Sequence, residues 1–237
     1  MKRPGRFRHW LVNILLLLVF VVGLALIFNN QIRSWAMAQR TAQYELSKIS
    51  RKTIEQNEKK AASFDFDAVE PISTQAVLEA QLTNKTLPVI GGIAIPSVSI
   101  NLPIFKGVSN EALLYGAGTF SPTQKMGIGN YALASHRTDR QDLLFTPLDK
   151  VETGAVVYLT DLQSIYTYQV YRKDRIQPTQ VEVLDEIPTK KIVTLITCGE
   201  MSGETRIVVQ GELTAVTPVK EANKEMLQAF EMTQKTF

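Results

Sequence analysis

The sequence predicts an all-β domain, a barrel or a sandwich, carried behind an N-terminal membrane anchor. Two observations lead there. From about Leu82 to residue 217, short runs rich in β-branched and aromatic residues recur at even spacing, punctuated by Gly and Pro. Ahead of them, Leu11 to Phe28 is apolar except for Asn13, and eighteen helical residues come close to the ~30 Å of bilayer hydrocarbon.

The elements follow in order. Residues 1–9 form a basic flank, with Lys2, Arg3, Arg6 and Arg8 and no acid. By the positive-inside rule this end stays cytoplasmic and the bulk of the chain lies outside, held by a single span at 10–28 with Trp10 and Trp35 as interfacial residues. A cleavable signal peptide is the competing reading, because Ala36-Met37-Ala38 has a small-x-small pattern. The length of the apolar run and the distance of that site beyond it favour an uncleaved anchor. Residues 29–81 read as stalk or linker: 36–63 has helical composition with only a thin apolar stripe (Leu46, Ile49), and Phe64–Glu79 is acidic and broken by Pro71.

Seven strands are predicted in 82–217: Gly92–Ile95, Leu102–Phe105, Asn130–Ser135, Ala155–Thr160, Ser164–Lys173, Lys191–Thr197 and Arg206–Leu213. Asn110–Tyr115 and Leu143–Leu148 fit short helical turns between them. The tail, 218–237, has helical spacing at Met226, Leu227 and Phe230 and is expected either to pack on the β-domain or to be disordered.

Composition excludes several classes. The formal net charge of +3 is small, and no basic stripe with interleaved aromatics runs through the chain, so no nucleic-acid partner is expected. G-x-S-x-G, H-E-x-x-H and phosphate-cradling glycine loops are absent. The carboxylate pairs Asp65/Asp67 and Asp139/Asp142 lie in polar surroundings and read as solvated. A single cysteine, Cys198, excludes an intramolecular disulfide.

That cysteine ends the strand Lys191–Thr197, and Arg206 opens the next strand after a seven-residue polar loop. The connection predicts an antiparallel pair with Cys198 facing Arg206 across the loop mouth. His136 ends its own strand and is the one histidine besides His9, which lies on the cytoplasmic flank. One thiol and one imidazole are the minimum apparatus for thiol acyl transfer, since the imidazole can pair with the thiolate and later protonate a leaving amine. The arginine guanidinium keeps its proton and presents a rigid fork of donors, suited to an oxyanion or to peptide carbonyls.

These residues carry a family resemblance. Thr194-Leu195-Ile196-Thr197-Cys198 resembles the T-L-x-T-C signature of sortases, Leu133-Ala134-Ser135-His136 resembles their histidine segment, and Arg206 stands where their arginine would be. Pro178–Leu184 resembles the segment before the cysteine strand, and the N-terminal anchor is similar to that of class A, the housekeeping type. The resemblance spans about 82–217 and implies an eight-stranded β-barrel with short helices. It implies cleavage of an LPXTG sorting signal between Thr and Gly, a thioester on Cys198, and transfer to a cell-wall precursor amine such as that of lipid II, which anchors surface proteins. It further implies that Ala134, Val181, Val183, Leu184 and Ile196 line the groove for the signal's Leu-Pro, with Ser135 and Thr197 against the scissile peptide. Some class A members bind calcium through acids upstream of the histidine strand. Thr119–Gln124 carries none here, so calcium independence, and no cofactor or metal, is expected. Two alternatives stay open: a tethered β-domain that binds a partner without catalysis, and a thiol hydrolase with water as acceptor.

Overall fold

The computed structural model describes residues 5–28, 42–66, 68–69 and 86–236. Trp35, Ala36-Met37-Ala38 and most of the acidic linker lie outside these. Helix α1, Gly5–Ile27, is a unit of its own. Its stretch His9–Ile27 is long and apolar enough to cross a bilayer, and none of it is buried.

The second unit is a closed eight-stranded barrel. Its strands are β1 (Val89–Ile95), β2 (Ile100–Phe105), β3 (Ala117–Thr119), β4 (Asn130–Ala134), β5 (Val156–Thr160), β6 (Ser164–Ile176), β7 (Ile192–Cys198) and β8 (Arg206–Pro218). The order around the barrel is β1-β2-β3-β4-β7-β8-β6-β5. Two neighbours, β2/β3 and β4/β7, are parallel and the rest are antiparallel. Closure leaves no bare sheet edge. The seven predicted strands are all present; β3, three small or short residues, is the addition.

Strand periodicity sorts the side chains. Ile93, Leu133, Val157, Tyr168, Val193, Leu195, Ile207 and Val209 alternate into one central core. The intervening residues face outward and are covered in patches by other segments. One such cover corrects an expectation. Residues 42–66 are not a free stalk: two 3-10 turns and α2 (Arg51–Asn57) dock on the barrel. Ile54 is fully buried, Asn57 Nδ2 donates to the Val89 carbonyl at 2.9 Å, and Tyr44 meets Phe105 edge-on. Leu46 lies so close over Gly92 that a β-carbon there would stand 2.1 Å from its Cδ1, so a larger residue would displace the Leu46 side chain.

Helix α3 (Asn110–Tyr115), capped by Ser109, precedes β3. A 3-10 turn in the β4–β5 connection, Thr146–Lys150, overlaps the expected Leu143–Leu148 but begins three residues later. At the C-terminus α4 (Lys224–Glu231) packs Ala229, Met226 and Phe230 against Ala94, Tyr158 and Ile165 on the outer wall of β1, β5 and β6. The chain then runs to the loop after β4, where Lys235 accepts a hydrogen bond from the Leu144 amide at 3.0 Å. The tail thus resolves as packed structure.

Candidate active site

Three adjacent strands, β4, β7 and β8, carry the predicted chemistry on their outward face. In the β7/β8 ladder Cys198 pairs directly with Arg206, as expected from the loop length. The parallel β4/β7 ladder ends at Ala134 paired with Ile196. It continues through a hydrogen bond from the Ser135 amide to the Ile196 carbonyl (3.2 Å). His136 lies two residues past Ala134, just beyond the end of β4, as Cys198 lies two past Ile196. Paired residues share a face and alternate residues return to it, so parity sets His136 beside the Cys198–Arg206 pair in one outward row. The next row is Ala134, Ile196 and Val208.

The row is set deeper than a barrel rim. His136 is only 8% exposed, while Cys198 and Arg206 are half-buried. Burial disfavours the imidazolium and pushes the His136 pKa down to about 4, so the ring is neutral at physiological pH. Arg206 Nη1 donates to the carbonyls of Gly203 (2.7 Å) and Thr205 (3.0 Å). Among the described residues its Nε and Nη2 have no hydrogen-bond partner, which leaves three N–H donors for another group.

The predicted groove residues divide by strand parity. Ile196 and Val208 pack with Val183 and Ile176, and Leu184 and Phe120 lie against them. Ala134 joins a neighbouring cluster with Val108 and Leu113, bordered by the same Phe120. Val183 and Leu184 belong to a 3-10 turn, Val181–Leu184, in the β6–β7 connection, with Val181 exposed. Ser135 and Thr197 are set differently from the groove residues. They occupy the alternate positions, are almost wholly buried, and spend their hydroxyls on main chain: Ser135 Oγ donates to Gly116 (2.7 Å) and Thr197 Oγ1 to the Ser135 carbonyl (2.9 Å). Through these bonds they tie the end of β4 to the segment before β3 and to β7.

A chain of charges that the sequence reading missed rings the site. Arg137, next to His136, pairs with Asp149, and Asp149 also faces Arg175 at 3.8 Å. Arg175 pairs with Glu200, two residues past Cys198. Glu200 in turn accepts from the amide (3.1 Å) and hydroxyl of Thr205, the residue before Arg206. Each catalytic candidate therefore has a close sequence neighbour in one network. Arg137 and Asp149 are identifiable as partners only once β4 and the β4–β5 turn are in place.

Residues 93–214 match the family model described as the sortase domain. The chain is 45% identical over 229 residues to Sortase A of Streptococcus agalactiae, covering 94% of this chain and 92% of that one. It is 37% identical to Sortase A of Listeria monocytogenes, covering 83% and 89%. Among solved structures, Listeria monocytogenes sortase A superposes with a TM-score of 0.57 at 39% identity, over 61% of this chain and 99% of that one.

Proposed function

The chain belongs to the sortase family of cysteine transpeptidases, which anchor surface proteins, and from that premise we propose a class A, housekeeping member with Cys198 as nucleophile. Its substrates in this reading carry an LPXTG-type signal, and its acceptor is the amine of a cell-wall precursor, lipid II. The single observation that supports the assignment is the direct pairing of Cys198 with Arg206, beside buried His136 two residues past the end of the neighbouring strand β4.

The roles follow from the chemistry of each group. As Sγ of Cys198 attacks the carbonyl carbon of the signal's Thr, neutral His136 accepts the thiol proton. Negative charge gathers on the carbonyl oxygen, where free donors of Arg206 stabilise it or hold the neighbouring carbonyls in register. The C–N bond to Gly then breaks, and His136 gives its proton to the departing amine. In the second half the acceptor amine attacks the thioester, its proton passes through His136, and Cys198 leaves as the thiol. Ala134 and Ile196 form the floor for the signal's Leu-Pro, with Val181, Val183 and Leu184 as its wall. Ser135 and Thr197 brace the strands beside the scissile peptide. A single span with the N-terminus cytoplasmic holds the barrel outside the membrane. Activity is independent of calcium, since Thr119–Gln124 offers no carboxylate.

The test uses the full chain in detergent micelles with an LPXTG peptide, with and without an amine acceptor. Mass spectrometry is expected to detect an acyl adduct on Cys198 and, only with acceptor, a ligated product. A hydrolysed product that acceptor cannot divert would make the enzyme a hydrolase. No adduct across the active pH range would remove Cys198 from the chemistry.

A further inference from the structure

Below the catalytic row the outward face of the same strands turns polar. Asn130 on β4, Thr194 on β7 and Gln210 on β8 are buried, at 7%, 0% and 2% exposure. Thr194 pairs directly with Gln210, and Asn130 lies one diagonal step away, two residues before Ala132, the partner of Thr194. Buried polar groups on a barrel wall cost free energy unless every one finds a partner. Here they do. Thr194 Oγ1 donates to Asn130 Oδ1 (2.7 Å) and accepts from Gln210 Nε2 (3.1 Å).

Both amides also reach outward to one point. Asn130 Nδ2 donates to the carbonyls of Val183 (3.0 Å) and Asp185 (3.1 Å), and Gln210 Nε2 donates to Val183 as well (3.2 Å). Gln210 Oε1 is itself held by Tyr171 Oη (3.3 Å) and Arg172 Nη1 (3.4 Å) from β6. The Val183 side chain meanwhile packs on Ile196 and Val208, in the row between the polar residues and Cys198. The 3-10 turn is therefore fastened through its carbonyl below and seated through its side chain above.

We propose that Asn130, Thr194 and Gln210 form a latch that sets the height of the Val181–Leu184 turn over β4 and β7, making Thr194 a positioning residue for substrate selection. The inference rests on the reading that this turn walls the groove for the signal's Leu-Pro. Apolar packing alone would let the turn slide along a greasy surface. Directional hydrogen bonds to one carbonyl fix both its height and its register. The latch touches neither the thiol nor the imidazole, so it governs binding rather than bond breaking.

The experiment compares wild type, Thr194→Val, Thr194→Ser and Gln210→Met as full chains in micelles. Three quantities are read: KM and kcat on an LPXTG peptide, preference over a peptide with Ala in place of the signal's Pro, and the rate of Cys198 alkylation by iodoacetamide. Thr194→Val keeps the shape and deletes the hydroxyl. It is expected to raise KM about three- to tenfold, the worth of one or two hydrogen bonds, and to shrink the preference for Pro by a similar factor. Alkylation and kcat stay within about twofold, and Thr194→Ser stays near wild type. Gln210→Met, which loses the amide, is expected to match Thr194→Val and is read in its place if that variant does not fold. Wild-type KM and preference in both variants would overturn the proposal. So would a loss confined to kcat and alkylation, or failure of both variants to fold, which would make the row a core element only. A wild type that forms no adduct with the peptide would instead sink the functional reading beneath it.

Discussion

Replacing His136 with Gln should flatten part of the pH dependence of stability, and the size of the effect follows from burial. The imidazole titrates near 6.5 in an unfolded chain and near 4 in the folded barrel, with desolvation as the cause. Between those values the unfolded chain holds a proton that the native state lacks. Stability therefore falls as pH drops through this window. The contribution is fully present above 6.5 and is lost by about pH 4. A separation of roughly 2.5 units at 1.36 kcal/mol each is worth about 3 kcal/mol. Urea unfolding of wild type and His136→Gln, followed by the near-ultraviolet signal of the barrel tyrosines from pH 7 to pH 4, measures it. Carboxylates common to both proteins cancel in the difference. Wild type should lose about 3 kcal/mol more than the variant over that range. A difference that does not move with pH, or an imidazole resonance titrating near 6.5, would refute the argument that burial holds this ring neutral.

Three other outcomes are expected. Arg206→Ala should lower kcat by about 10²–10³-fold, and Arg206→Lys should recover only part, because a point-like ammonium lacks the planar fork that holds the Gly203 and Thr205 carbonyls with Nη1 while presenting Nε and Nη2 to a substrate oxygen; a change in KM alone would count against the role. Chelation with EDTA should leave kcat/KM unaltered, and a several-fold drop would reveal a calcium requirement. Arg175→Gln breaks the link between Asp149 and Glu200, and should slow acylation by about five- to tenfold through misplacement of the loops flanking His136 and Cys198; partial recovery by Arg175→Lys and an unchanged KM separate this from loss of fold.

The sequence showed the strands more clearly than their neighbours. Lys191–Thr197 announces itself as a strand through Ile, Val and Thr, and the seven-residue loop to Arg206 implies an antiparallel pair. The parallel pairing of β4 with β7 carries no local signal, because its partners are brought together by the barrel. Ala117–Thr119 is too short and too small to read as a strand. The thin stripe Leu46/Ile49 suggested a stalk because its receiving surface, the gap at Gly92, is visible only once the barrel exists. Ser135 and Thr197 flank the catalytic residues in sequence, but that their hydroxyls bond main chain is visible only once the strands are in place. Asn130, Thr194 and Gln210 look like solvated positions in a strand until the 3-10 turn covers them.

The parallel β4/β7 pair also bears on when the enzyme becomes active. Ser135 and Thr197, which join these strands next to the site, are 62 residues apart in the chain. Between them β5, β6 and the turn segment must form and cross over, so this closure is expected late in folding, after local hairpins such as β5/β6. Before that closure an extended chain would carry Cys198 as an ordinary thiol, with its imidazole far away. Acyl-transfer competence would arrive only with the finished barrel. Topology by itself would then keep the chain chemically silent until the barrel closes.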